Sequence, residues 1–159
     1  MLKVRIIPCL DIIKNKVVKG VNFKNIKVLG DPVYLARKYS DNGADELCML
    51  DIKASHEKRK TFLKTVEAIA KVIDIPLTVG GGVSDIKDIT TLLNAGADKV
   101  SINTTAVLKP NLIKIASLKH GSQCIVVAID GKRYGKKMLV TIKGGRERTN
   151  KTVVSWAKN

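Results

Sequence analysis

An alternation constrains this chain more than any single motif. Short apolar runs, IIPCLDI, CMLDI, IPLTVG, KVSIN and CIVVAI, are separated by segments whose apolar residues recur three and four apart. Strand then helix, repeated, predicts parallel strands joined by right-handed crossovers and covered by the helices. An internal repeat supports this reading. Residues 42–52 (NGADELCMLDI) and 95–104 (AGADKVSINT) share one device, with Gly43 or Gly96 just past a helix, then Ala-Asp, then a strand.

The helical segments carry their own boundaries. In DPVYLARKYSDNG, Asp31 is the expected N-cap, Pro32 takes the first helical position, Leu35 and Tyr39 lie four apart, and the helix ends near Gly43. The segment SHEKRKTFLKTVEAIAKVI places Leu63, Val66, Ala70 and Ile73 on one face and charges on the other. A strand follows over 75–79, a third helix starts at Ser84 or Asp85, and a fourth covers 111–118. Beyond Asp130 the pattern changes. Residues 131–151 read as a hairpin-like, glycine-bounded excursion, after which TVVSWAKN begins another helix.

An open doubly wound sheet and a (β/α)₈ barrel both fit five strands with intervening helices. In a barrel, chemistry sits at the carboxyl ends of the strands. That is where three apolar runs reach an aspartate: Asp11, Asp51 and Asp130. Strands 1 and 5 of eight stand opposite each other, which sets Asp11 across the mouth from Asp130. Alternation puts Arg5, Ile7, Cys9 and Asp11 on one strand face, and Cys124, Val126, Ala128 and Asp130 on another. Asp51 has the parity opposite to Glu46, which makes it a less secure inward-facing residue. Each aspartate fits two readings, a carboxylate capping loop N–H groups or a working acid–base group, and the opposed pair favours the second.

The turn TVGGGVSD puts Gly80, Gly81 and Gly82 between a strand and a helix start, where free N–H groups and close backbone approach suit a phosphate. A tight turn without ligand is the alternative. The next strand ends in Ser101, Asn103 and Thr104, more donors at the same mouth. Lys19 falls on the first strand-to-helix connection, where a mobile cation would close over a phosphate or simply stand in solvent. Arg5, Glu46 and Lys99 fall at the opposite strand ends and read as an ionic plug.

Composition narrows the partners. A formal charge of +15, from 29 Lys and Arg against 14 Asp and Glu, raises nucleic acid as a ligand, yet the lysines are scattered and only six aromatics are present. A solvated basic surface, with some charge favouring an anionic small molecule, is the expectation. Nucleic acid is not an expected partner. No apolar run approaches the roughly 18 residues of a membrane span, and the amino terminus has no small-residue cleavage site. A cytoplasmic, reducing setting is expected, with Cys9, Cys48 and Cys124 as buried thiols.

Taken together, IIPCLDI, VVKGVNF, GDPVxLA, ADELxxLDI, ASxEKR, IPLTVGGGV, GADKVSINT and GSQCIVVAID resemble the cyclase subunit family of imidazole glycerol phosphate synthase, in histidine biosynthesis. The sister isomerase of that pathway shares the barrel and paired aspartates, but PCLD, KGVNF and SINT are closer to the cyclase. The resemblance implies a (β/α)₈ TIM barrel that takes ammonia from a glutaminase partner in a heterodimer. With it, a bisphosphorylated phosphoribulosyl-formimino aminoimidazole carboxamide ribotide becomes imidazole glycerol phosphate and aminoimidazole carboxamide ribotide. On this resemblance Asp11 and Asp130 are the acid–base pair, with Cys9 and Asp51 in supporting positions. Gly82, Asn103 and Thr104 hold one phosphate, flanked by Gly81 and Ser101. Lys19 is the loop lysine, and Arg5, Glu46 and Lys99 are three members of the ammonia gate. No cofactor and no metal are implied.

A barrel of this type needs about 250 residues. The expectation is therefore one incomplete barrel domain over 1–159, with strands 1 to 5, helices 1 to 4 and the start of helix 5, inactive alone. A half-barrel that works only by association and a decayed gene product are the alternatives.

Overall fold

A computed structural model describes residues 4–21, 24–52 and 63–159. Strands β1 (Cys9–Ile13), β4 (Leu47–Asp51), β5 (Leu77–Gly80), β6 (Lys99–Ile102) and β7 (Ile125–Val127) run parallel and adjacent. Helices α1 (Pro32–Asp41), α2 (Leu63–Ala70), α3 (Ile86–Asn94), a short α4 (Thr104–Leu108) and α5 (Asn111–His120) fill the connections. The result is an α/β fold built on a parallel sheet. Among the described residues the sheet does not close: two further strands, β2 (Lys16–Val21) and β3 (Lys24–Gly30), make its order β3-β2-β1-β4-β5-β6-β7, with β3 and β7 as its edges.

Strands β2 and β3 are an addition that the hydrophobic pattern does not announce. The chain turns at Lys14 and Asn15, both in the left-handed region at φ 48° and 57°, and β2 pairs back on β1. Asp11 therefore lies in the middle of β1, paired across to Val18 and Leu50, and not at a strand end. Lys19 likewise stands on a strand instead of a loop.

Helices α1, α3 and α5 start where the sequence places them, and the short α4 is an addition to that reading. Asp31 caps α1 by accepting from the N–H groups of Val33 and Tyr34 at 2.9 and 3.0 Å. At α3, Asp85 accepts from the Asp88 N–H, while the Asp88 carboxylate accepts from the Ser84 N–H and hydroxyl. The amino-terminal half of the expected second helix, residues 55–62, lies outside the described residues.

Alternation along the strands separates a dry face from an open one. Leu47, Met49, Leu77, Val79, Val100 and Ile102 are almost wholly buried against Val66, Ile69, Ile89 and Leu92 of the helices. The other face carries Cys9, Cys48, Thr78 and Lys99 in successive strand registers. Cys9 is exposed and Cys48 and Cys124 are half-buried, all three free, which corrects the expectation of buried thiols. The reason is positional: Cys9 and Cys48 sit opposite each other on the face that no helix covers among the described residues. Burial on their shared side pushes the Cys48 thiol up to about 12, reinforced by Cys9.

The Ala-Asp repeat has a mechanical meaning. The Asp45 carboxylate accepts from the Ile6 N–H at 2.6 Å while the Asp45 N–H donates to the Ile6 carbonyl. Asp98 repeats the contact on Leu77, accepting its N–H at 2.8 Å and donating to its carbonyl. Each unit thus clamps itself onto the strand before it. Asp98→Ala is expected to lower stability by about 1 kcal/mol, since a part-buried charge-assisted bond is lost, a fall of roughly 2–4 °C in thermal midpoint. An unchanged midpoint by calorimetry would discount the clamp.

The excursion after β7 is a three-stranded antiparallel sheet and not a hairpin, formed by β8 (Asp130–Tyr134), β9 (Lys137–Ile142) and β10 (Glu147–Thr152). One face of it packs Val140 and Ile142 into the core beside Trp156 of the final helix α6 (Val153–Lys158), which Thr152 caps. β7 ends at Val127, so Asp130 opens this second sheet instead of closing the fifth parallel strand.

Candidate functional site

Strand alternation and the parallel register put Asp11, Leu50, Gly80 and Ser101 in one row on the open face. Above that row, at the carboxyl ends of the strands, lies a cavity of about 220 Å³. Its lining gathers Asp11, Asp51, Gly81, Gly82, Ser101, Asn103, Thr104 and Asp130, eight of the residues that the sequence singled out. A hollow of about 360 Å³ opens at the other end of the strands, lined by Asp74, Asp98 and apolar groups. The smaller cavity carries the convergent chemistry.

Each wall has a local cause. Gly81 and Gly82 adopt φ of 97° and 68°, which turns the chain sharply from β5 toward α3. The Thr105 hydroxyl donates to the Val83 carbonyl at 2.6 Å and so ties the glycine turn to the start of α4. Thr104 accepts through its hydroxyl oxygen from the Lys143 N–H at 3.0 Å, fixing the β9–β10 turn over the same cavity. That turn contributes Gly144 to the lining. Thr105 and Gly144 escaped the sequence reading. A second Thr beside SINT was the only trace of the first, and the second depends on a strand pairing without local signal. The buried Oδ1 of Asn103 has no hydrogen-bond partner among the described residues, so a ligand donor would satisfy it.

The two carboxylates differ in setting. Asp11 is half-buried and Asp130 exposed. Burial pushes the Asp11 carboxyl above its usual range, while the Lys19 charge pulls it back. Neither carboxylate accepts a hydrogen bond among the described residues, so neither acts as a cap for loop N–H groups. Asp51 is almost fully buried at the cavity edge despite its helix-side parity.

Arg5, Glu46 and Lys99 do meet at the amino ends of the strands. Lys99 donates to Glu46 Oε2 at 2.6 Å and Arg5 pairs with Oε1 of the same carboxylate. The Lys99 hydrogen bond, helped by both cations, holds the Glu46 carboxyl below its usual range against the effect of burial. A depressed folded-state value stabilises the fold above the unfolded-state value, near 4.5, and that contribution fades as pH falls through the folded value. Glu46→Gln should therefore lower the thermal midpoint at pH 7 by about 3–6 °C, from about 1–2 kcal/mol given the exposure of Arg5. The gap between variant and wild type should narrow below pH 4.5. A gap that is constant with pH would discount the charged trio.

Of the remaining expected site residues, Cys9 lies on the open face below the cavity, opposite Cys48. Lys19 reaches Asp11 electrostatically from β2 without lining the cavity. Among the described residues there is no cluster of His, Cys, Asp or Glu able to hold a metal ion, and no helix long and apolar enough to cross a membrane.

A family model described as histidine biosynthesis protein matches residues 5–159. Imidazole glycerol phosphate synthase subunit HisF of Campylobacter concisus (strain 13826) is 56% identical over 154 residues, covering 97% of this chain and 61% of that protein. The protein of the same name from Endomicrobium trichonymphae is 55% identical over 159 residues, covering 99% and 61%. A third, from Exiguobacterium sp. (strain ATCC BAA-1283 / AT1b), is 53% identical over 158 residues, covering 99% and 62%. The chain spans about three fifths of the length of these curated relatives.

Proposed function

Since this chain belongs to the histidine biosynthesis protein family, we infer that it serves the cyclase reaction of imidazole glycerol phosphate synthase. Ammonia from a glutaminase partner converts the bisphosphorylated formimino ribotide into imidazole glycerol phosphate and aminoimidazole carboxamide ribotide. The observation that carries this reading is the meeting of Asp11 and Asp130 in one cavity with Gly82, Asn103 and Thr104.

Asp11 and Asp130 exchange protons with the substrate during imine formation and ring closure. The half-buried Asp11 gives up its proton less readily than an ordinary carboxyl, so it suits the step that needs a proton donor. Gly82, Asn103 and Thr104, flanked by Gly81 and Ser101, hold one phosphate through backbone N–H, amide and hydroxyl groups. Lys19 balances the charge beside Asp11. The Arg5, Glu46 and Lys99 cluster guards the opposite strand ends, where ammonia enters from a docked glutaminase, and Cys9 and Asp51 support the aspartate row between. The five parallel strands are those of a (β/α)₈ barrel, and the enzyme works in the cytoplasm without metal or cofactor.

The test uses the protein as isolated from its own cell, given the ribotide and an ammonium salt. Ammonia-dependent formation of imidazole glycerol phosphate is the expected result. An ammonia-independent isomerisation of the upstream aldose instead would overturn it in favour of the sister enzyme. The 159-residue chain alone should show no cyclisation. The intact mass in the cell belongs beside that assay: about 27 kDa, from the typical length of such a barrel, fits a single-chain enzyme. The 17.3 kDa of this sequence fits a half-barrel that needs a partner.

A further inference from the structure

The cavity presents an electrostatic contradiction. It is lined by three carboxylates, Asp11, Asp51 and Asp130, and none of its described lining residues is Lys, Arg or His. A ligand bearing two phosphates would meet net repulsion there unless positive charge is held close by. Lys19 supplies one such charge beside Asp11. The three-stranded sheet supplies more, with eight basic side chains over residues 130–152 against Asp130 and Glu147.

Two of those cations are set apart by their surroundings. Lys132 and Arg148 both lie over the Tyr134 ring, at 5.9 and 5.2 Å from its centroid, and neither makes an ion pair among the described residues. The ring orders them without neutralising them. Alternation along β8 puts Lys132 and Tyr134 on the sheet face that carries Asp130, and the register Asp130–Thr141–Arg148 brings Arg148 to that face as well. Lys132 is two residues from Asp130, on the order of 7 Å along the strand. That is within the roughly 8 Å over which charge acts at physiological salt. The Lys143–Thr104 hydrogen bond fastens the whole sheet to the cavity wall.

We propose that Lys132 and Arg148, ordered on Tyr134, form an anion-capturing rim for the cavity that draws in and retains a phosphate-bearing sugar. The inference rests on reading the cavity as a phosphate-ester site. It assigns the three-stranded sheet a part in ligand capture in addition to its packing role.

The test measures calorimetric binding of ribulose 1,5-bisphosphate to the full cellular protein at ionic strengths of about 0.02 and 0.3 M. Lys132→Glu with Arg148→Glu should weaken binding roughly tenfold at low salt and much less at high salt. A control, Lys87→Glu with Lys114→Glu on exposed helix surface, changes the net charge equally and should bind within about twofold of wild type. Equal weakening by both double variants, wild-type binding by the rim variant, or no binding of the probe by wild type would each overturn the proposal. Ammonia-dependent turnover by the wild type judges the cyclase reading separately, because its absence with salt-sensitive probe binding intact would remove that reading and leave the rim.

Discussion

Asp11→Asn is expected to lower ammonia-dependent cyclisation by roughly 10²–10⁴-fold, with substrate affinity changed only a few-fold. The change keeps the shape of the side chain and removes its proton chemistry. The Asp11 carboxylate accepts no hydrogen bond among the described residues, and its strand pairing is through the backbone, which the substitution leaves in place. Burial in fact disfavours the ionised form, so the variant should unfold at an equal or higher temperature at neutral pH. The limb of the pH–rate profile set by Asp11, on the alkaline side where it acts as the proton donor, should lie above the ordinary aspartate range. Lys19→Met, by removing the cation that lowers the Asp11 value, should move that limb further up. Turnover by the Asn variant within tenfold of wild type would remove Asp11 from the reaction.

Gly81→Ala is expected to be the most damaging small change to the fold, costing about 3 kcal/mol or more and lowering the thermal midpoint by roughly 6–12 °C. Two costs coincide. The backbone stands at φ 97°, where a side chain is strained, and an added Cβ would lie 2.8 Å from the backbone nitrogen of Asp51 and closer still to its carbonyl oxygen. Asp51 ends a strand whose Leu50 pairs with Gly80, so it cannot retreat without opening the β4–β5 ladder at the cavity. Gly135 is the natural control, at φ 57° with nothing within 4 Å of its would-be Cβ. Its Ala variant should lose about 1 kcal/mol from conformation alone. Equal midpoints for the two variants would show that the overlap with Asp51 is relieved at little cost.

The parallel sheet was legible because buried strands and amphipathic helices carry different periods, and because Gly43 and Gly96 mark two helix ends at φ 82° and 103°. Much of the cavity was legible because Gly81, Gly82, Asn103 and Thr104 stand just past strand ends, whereas Asp11 lies mid-strand, Asp130 opens the second sheet and Asp51 has the opposite parity. Elements without a local signal stayed hidden. The β1–β2 hairpin turns on Lys14 and Asn15, and a left-handed Lys-Asn pair lacks the glycine that usually announces such a turn. The third strand after Asp130, ERTNKT, has no apolar residue to mark it and joins its sheet through backbone pairing, the Thr149 hydroxyl on the Val140 carbonyl and Arg148 over Tyr134. The cysteines were misplaced for a related reason. Apolar neighbours suggest burial, but which face of a strand is covered depends on elements far along the chain.

The Asp45 and Asp98 clamps have a direction. Each reaches from the turn before a later strand back to an earlier residue, Ile6 or Leu77, which ribosomal synthesis has already delivered. A growing chain can therefore fasten these two units, those that bring in β4 and β6, the moment they emerge, without waiting for anything still to be translated. Vectorial assembly of this kind leaves β3 as one fixed edge and moves the growing edge to the newest strand.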